Sequence, residues 1–304
     1  MADVAIPEPT SRSGAQTALL MLWRDKFALV AVLYLLLMIF CTVLGPALLG
    51  DAATALNLRM RNAVPFTFDN GWLFVLGADA LGRSIVARLV VAAQNTIAIA
   101  AAAVAVSFIV GATLGIVAGY VGRWVDNLIM RFADILMSFP SLLMAVVVLY
   151  ILEPRVANLV IVLAITRLPI YIRTARAEVL EIRERMFVSA ATAMGASGLR
   201  IVLRHIAPVT LPTLITIATI DFAFVMLAES ALSFLGIGIQ PPEVTWGLMV
   251  AQGRNYLNTA WWLAFFPGLA IMLATLSLNL LSSWLRVVTD PTQRWRLEVG
   301  GRKP

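Results

Sequence analysis

Cysteine, histidine and lysine are nearly missing from this sequence, and each scarcity closes off a class of chemistry. Cys41 is the one cysteine in 304 residues, so no intrachain disulfide can form. His205 is the one histidine, and a zinc site built from His and Cys ligands within this chain is excluded with it. The lysines are Lys26 and Lys303, and neither follows a Gly-x-x-x-x-Gly run, so the phosphate-cradling loop of nucleotide hydrolases is absent. No Gly-x-Ser-x-Gly elbow occurs, and a lone histidine makes a hydrolytic triad a poor reading. Charge is scarce as well. Only 13% of residues are charged and 61% are hydrophobic, against roughly 25% and 45–50% in soluble domains. The expectation is a chain without catalysis of its own and without a bound cofactor.

What is there is long apolar runs. Uncharged stretches cover residues 27–50, 89–122, 135–152 and 255–285. Two more, 156–172 and 206–239, are interrupted by Arg167 and by Asp221 and Glu229. A helix needs about 20 apolar residues to cross a bilayer. The expectation is an all-α membrane protein with six transmembrane helices. The first run is too long for a signal-peptide core and reads as a retained anchor.

The net charge of +6 does not point to nucleic acid once its distribution is counted. With the N-terminus inside and six alternating spans, 16 Lys and Arg fall inside and 6 outside, with Arg167 within a span. That asymmetry fits the positive-inside rule, with both termini cytoplasmic. The expected organisation is then a cytoplasmic lead-in at 1–26, a first helix at 27–50, and an extracytoplasmic loop with an interfacial helix at 51–88. A five-helix core at 89–286 follows, with a cytoplasmic loop at 173–205, and then a cytoplasmic tail at 287–304. Residues 19–23 read as an interfacial segment of the lead-in. Asp79 reads as the cap of a helix starting near Ala80 that lies flat on the outer surface, carrying Arg83 and Arg88.

Several residues are costly at membrane depth. Arg167, Asp221 and Glu229 fall inside spans, and Asp134 opens one. A charge at mid-bilayer costs about 2.5–3.5 kcal/mol on insertion scales, so these groups face the protein interior or an interface. Two readings stand side by side: a polar translocation path, or ion pairs between helices or with a partner subunit. Asp221 and Glu229 are eight apart and share a helix face. In the third span Ser138-Phe139-Pro140 interrupts the helix, because proline supplies no N–H and clashes with the preceding turn. Gly111, Gly115 and Gly119 recur every fourth residue, a spacing that lets two helices approach closely.

The loop at 173–205 holds a periodic segment. Phe187, Ala190, Ala191 and Met194 fall at i, i+3, i+4 and i+7, one apolar face of a short helix. Gly195 ends it, Gly198 permits a second turn, and Pro208 sits where the next helix begins. Periodicity leaves two readings open: a helix docking in a partner's groove, or one lying on the inner leaflet, drawn by its arginines.

This loop resembles the EAA motif of ABC-importer permeases, which reads Glu-Ala-Ala, three residues, Gly, nine residues, then Ile-x-Leu-Pro. Ala190, Ala191, Gly195 and Pro208 fall in register, while Ser189, His205 and Ala207 replace the Glu, Ile and Leu. Four further blocks are similar to the peptide branch of that family: LGADALGRS at 76–84, the stretch at 114–145 ending in SFP and its flank, ESALSFLGIGIQPPEVTWG at 229–247, and 261–286 with Asp290-Pro291. The first departs from the branch at Ala78 and Ser84. Together the blocks cover about residues 15–295, and the chain is similar to the C-type permease subunit of dipeptide and oligopeptide ABC importers.

The resemblance implies a type I ABC-importer permease fold in the cell (inner) membrane, multi-pass. It implies a homologous B-type permease partner, two ATPase subunits that hold the ATP and Mg, an extracytoplasmic substrate-binding protein, and a peptide substrate. It implies an ATPase-coupling role for Phe187, Ser189, Ala190, Ala191, Met194, Gly195, Ala196, His205 and Pro208. Asp134, Ser138, Phe139, Pro140, Asp221 and Glu229 are the candidates for the translocation path. A nickel or metal-chelate importer is the nearest alternative. A stand-alone channel or proton-coupled carrier using Asp221 and Glu229 is the third.

Overall fold

The computed structural model describes residues 21–67, 71–153 and 155–289. The lead-in before residue 21 and the tail after residue 289 lie outside the described residues, as does part of the interfacial segment at 19–23. Among the described residues the chain is helical, apart from turns and one isolated antiparallel bridge between Ala78 and Ser84. Helix α1 is Lys26–Thr54, capped by Asp25, whose carboxylate accepts from the N–H groups of Phe27 and Ala28 at 3.1 Å. Short 3₁₀ turns at Leu58–Met60 and Trp72–Phe74 carry the chain to α2, Ile85–Val121. Then come α3 (Arg123–Met137), α4 (Ser141–Ile151), α5 (Val156–Ile182), α6 (Met186–Ala193) and α7 (Gly198–Ile201). A π turn at Val202–Ile206 leads into α8 (Ala207–Phe234), followed by α9 (Trp246–Gly253) and α10 (Trp262–Thr289).

Five helical stretches are long and apolar enough to cross a membrane, and the α3–α4 pair makes a sixth if counted as one bent span. The interruption expected in the third span is a sharp bend. The two halves meet at 85° across Ser138-Phe139-Pro140. Pro140 cannot donate, and it pushes Phe139 out of helical geometry. The 11 residues of α4 reach only about 16 Å, too short to cross alone.

The glycine stripe explains the tightest helix pair. α2 lies along α5, and a Cβ on Gly111 would stand 2.6 Å from the Cβ of Tyr171. On Gly115 it would stand 2.4 Å from the carbonyl oxygen of Ile172, and on Gly119 2.8 Å from the Cβ of Val179. Each step of four on α2 meets a step of about four on α5, so backbones touch where side chains normally intervene. α1 packs on the outside of α2 and α10, and its remaining surface (Phe27, Val30, Leu33, Leu37, Phe40, Val43) is left exposed. That inside-out distribution suits hydrocarbon solvent, where apolar exposure carries no penalty.

Helix ends depart from the uncharged runs for local reasons. α5 continues ten residues beyond residue 172, because Arg173, Arg176 and Arg183 are partnered by Asp134, Asp126 and the Gly119 carbonyl. The helix expected near Ala80 begins instead at Ile85, capped by Ser84 Oγ, which accepts from the Ala87 N–H at 3.2 Å. Asp79 caps a turn, not a helix. Pro208 is the second residue of α8, as expected, although helical structure is continuous from Gly198 to Phe234 across the π turn. Upstream, the Ala207 N–H bonds the Val202 carbonyl in a widened π turn, which absorbs the crowding that Pro208 imposes on the turn before it.

Candidate functional site

Two neighbourhoods concentrate the residues singled out by sequence: the cytoplasmic segment around α6 and the meeting of α4, α5 and α8 at membrane depth. A third, on the outer face, was not anticipated.

The cytoplasmic segment is held from beneath and open above. Val188 and Ala191 are buried, and Val188 packs with Val179, Ile182, Ile201 and Ile206. The expected apolar face therefore divides. Ala191 goes to the core, while Phe187, Ala190 and Met194 turn outward, joined by Met186. Met186 and Met194 are 87% and 82% exposed, well beyond what an ordinary soluble surface asks of methionine. Ser189 is exposed at the same level. α6 ends in a Schellman turn: Gly195 N–H donates to the Thr192 carbonyl and Ala196 N–H to the Ala191 carbonyl. Gly195 has φ +83° with open space around its missing Cβ, so backbone conformation, not crowding, requires glycine there. Ala196 packs back on the core beneath, His205 is half-buried in the π turn, and Pro208 is exposed.

The interior charges separate into distinct environments. Arg167 on α5 bonds Asp221 on α8 through Nη2, and its guanidinium carbon lies 4.1 Å above the Phe224 ring. Glu229 is fully buried; it accepts from Ser233 Oγ at 2.8 Å and from Thr245 Oγ1 at 2.9 Å. Thr245 Oγ1 in turn accepts from the Leu248 N–H, so Glu229 ties α8 to the first turn of α9. Asp221 and Glu229 thus share a helix but not a site. Asp134 is exposed and pairs with Arg173 at 2.5 Å. Ser138, Phe139 and Pro140 are exposed at the α3–α4 bend, where Ser138 Oγ donates to the Ile135 carbonyl at 2.7 Å. A cavity of about 260 Å³ opens beside this bend between α4, α5 and α8, with Ser141, Thr166 and Phe224 in its wall. The bidentate Arg176–Asp126 pair, at 2.5 and 2.7 Å, fastens α3 to α5. Sequence reasoning missed it. The available signal was the pair of aspartates eight apart on α3 opposite two arginines three apart on α5.

The outer neighbourhood centres on Asp79. Its carboxylate accepts from the N–H groups of Leu81 and Arg83 at 2.9 Å, from Arg83 Nε at 2.7 Å and from Arg88 Nη1 at 2.5 Å. Arg88 also donates to Gln252 Oε1 at 3.1 Å, which joins this loop to α9. Asp79 and Arg88 are buried, not laid on the surface as expected. Burial would raise the Asp79 carboxyl, but the Arg83 N–H and the Arg88 and Arg83 guanidinium groups together hold it below the usual carboxylate range. Gly82, at φ +76°, lets the turn press on the Asn57 backbone. A cavity of about 360 Å³ between this turn and α9 is lined by Arg83, Arg88, Gln252, Asn255 and Tyr256.

An all-helical, multi-pass membrane subunit is the class that these features define among the described residues. The family model described as binding-protein-dependent transport system inner membrane component matches residues 111–295, and the chain belongs to that family. It is a multi-pass permease of the inner membrane. Similar proteins include the dipeptide transport system permease protein of Alkalihalophilus pseudofirmus, 36% identical over 94% of this chain and 92% of its own length. The di/tripeptide transport system permease protein of Pseudomonas aeruginosa is 38% identical over 88% of each. The glutathione transport system permease protein of Pectobacterium atrosepticum is 34% identical over 88% of each. Among solved structures, an inward-facing methionine ABC transporter superposes with a TM-score of 0.53 at 21% identity, covering 67% of this chain and 97% of that one. The fold is that of a type I ABC-importer permease.

Proposed function

We propose that this chain is a permease subunit of an ATP-driven importer of di- and oligopeptides. It forms one half of the translocation path beside a homologous B-type permease and receives cargo from an extracytoplasmic binding protein. Two ATPase subunits beneath it hold the ATP and Mg, and α6 transmits their motion. The observation that carries this reading is the outward apolar face of α6. Met186, Phe187, Ala190 and Met194 stand exposed on a short helix fixed through Val188 to Val179 and Ile182 of α5, Ile201 of α7 and Ile206 of the π turn. A protruding apolar face on a rigid base is a surface built for a groove in another protein. A helix lying on the inner leaflet would need its arginines on the rim of that face. Instead Arg185 pairs with Glu181 at 2.7 Å and Arg183 reaches back to the Gly119 carbonyl at 2.9 Å. The peptide cargo is supported by relatives whose names specify dipeptides, di- and tripeptides, and glutathione.

The test is co-purification with the ATPases. Phe187→Asp places a charge in the centre of the docking face, and ATPase recovery is expected to fall about tenfold or more. Recovery at the wild-type yield would sink the assignment of this face. Mass spectrometry of ligands carried by the cognate binding protein tests the cargo: peptides support the proposal, and a nickel chelate would replace it.

A further inference from the structure

One charged group in this chain sits at membrane depth and is still reachable from the chain surface. Arg167 is eleven residues into α5, about 17 Å along its axis and close to the middle of a hydrocarbon layer about 30 Å thick. Its side chain is 17% exposed, while that of its partner Asp221 is 1% exposed. Hydrocarbon cannot face a guanidinium edge at that depth. The exposed edge therefore looks onto water or a polar partner. The cavity beside the α3–α4 bend adjoins it without being lined by Arg167: the Phe224 ring that carries the Arg167 guanidinium lines that cavity, together with Ser141 and Thr166, the residue before Arg167.

The bonding around Arg167 is incomplete in an instructive way. A guanidinium has five N–H donors, and Asp221 takes one nitrogen through Oδ1 only. Arg167 Nε, Asp221 Oδ2 and the Tyr171 hydroxyl are all buried without a partner. An ion pair serving only to hold α5 against α8 would be expected to close these bonds, since each orphaned buried group loses its hydration without a replacement partner. A pair that exchanges partners leaves them open. The Tyr171 hydroxyl is near enough to the Asp221 carboxylate to interact with it without a formed hydrogen bond, and can close on it when Arg167 is drawn away.

We propose that Arg167 receives the carboxylate of a passing peptide and that Asp221 holds the guanidinium between cargo molecules. This assignment rests on the peptide reading of the cargo given above. Free carboxylates are common to dipeptides, tripeptides and glutathione, so one recognition element serves cargo of different side chains. Asp221 keeps the site neutral overall. The carboxylate is attracted by the guanidinium fork yet repelled by the adjacent aspartate, a balance that lets cargo enter and leave.

The experiment uses the whole transporter in liposomes, supplied with its binding protein and a defined mixture of free-carboxylate di- and tripeptides. Peptide delivered to the lumen is measured by mass spectrometry per ATP hydrolysed. Arg167→Gln is expected to lower delivery per ATP about tenfold, the weight of a lost charge-assisted hydrogen bond, and Arg167→Lys to restore most of it. Unchanged delivery by Arg167→Gln overturns the proposal. So does an equal loss in both variants accompanied by an equal fall in melting temperature, the signature of a pair that only holds helices together. A second arm does not depend on cargo. With Cys41→Ser in the background, Arg167→Cys is expected to react with an anionic, water-soluble methanethiosulfonate during turnover. No reaction during turnover overturns the proposal whatever the delivery. A wild-type transporter that delivers no peptide from the mixture sinks the peptide reading instead and leaves the labelling arm to decide the access of Arg167.

Discussion

The two surface turns of this permease handle polarity in opposite ways. On the outer side, residues 77–88 bury their charges: Asp79 holds Arg83 and Arg88, and Arg88 reaches Gln252 on α9. On the inner side, residues 186–199 expose their oils: Met186, Phe187, Met194 and Leu199 stand in the open above a small core. The outer turn has satisfied its bonding within the chain and acts as a clasp. The inner turn has left its apolar surface exposed, the surface on which the proposed ATPase docking rests. Composition alone suggests the reverse, with charged loops exposed and apolar residues hidden.

The largest effect that tests this contrast is Asp79→Asn. It leaves Arg88 buried without its counter-charge, and the purified complex should lose about 3–5 kcal/mol of stability, read as a drop in melting temperature. A change under about 1 kcal/mol would show that water reaches the clasp.

pH gives the same test without mutation. The Asp79 carboxyl is held below its ordinary value in the folded chain. The unfolded state therefore binds the proton first as pH falls. The contribution is fully present above about pH 4, the unperturbed carboxylate value, and is lost as pH drops toward and through the lower folded value. Melting temperatures of the wild type and Asp79→Asn should differ most at pH 6 and draw together as the pH falls below the ordinary carboxylate value.

Gly195→Ala is next. A side chain at φ +83° costs about 1–2 kcal/mol, paid locally in the Schellman turn that sets the angle of α6. Transport per ATP should fall while the chain still assembles. Unaltered transport would mean that the turn tolerates repositioning. Smallest in stability is Met194→Ser, expected to change the isolated chain by less than about 0.5 kcal/mol because the side chain is already exposed. Its effect should appear only as weaker ATPase recovery. A melting shift as large as that of Gly195→Ala would contradict the division between the two faces of α6.

Much of the fold was legible because a membrane imposes simple rules. Long uncharged runs marked the spans, Gly111, Gly115 and Gly119 announced a close helix contact, and Pro140 announced a break. The site was legible only in part. Periodicity found α6 and its end at Gly195, but it grouped Ala191 with Phe187 and Met194. Spacing says which residues share an arc, not which side of that arc meets Ile182 and Ile201. The same limit applies to Asp221 and Glu229. Their separation of eight placed them on one face, yet one meets Arg167 and the other Ser233 and Thr245.

By itself the sequence determined that this chain is a multi-pass helical membrane protein and about where its helices run. Those properties follow from residue type, run length and charge count, which need no partner to be read. Only the tertiary structure decided which charge neutralises which, that the guanidinium of Arg167 stays partly exposed, and which apolar residues of α6 face outward. Those are questions of distance between segments far apart in the chain, and distance is set by packing: by the α2–α5 glycine contact, the bend at Pro140 and the Asp79 clasp.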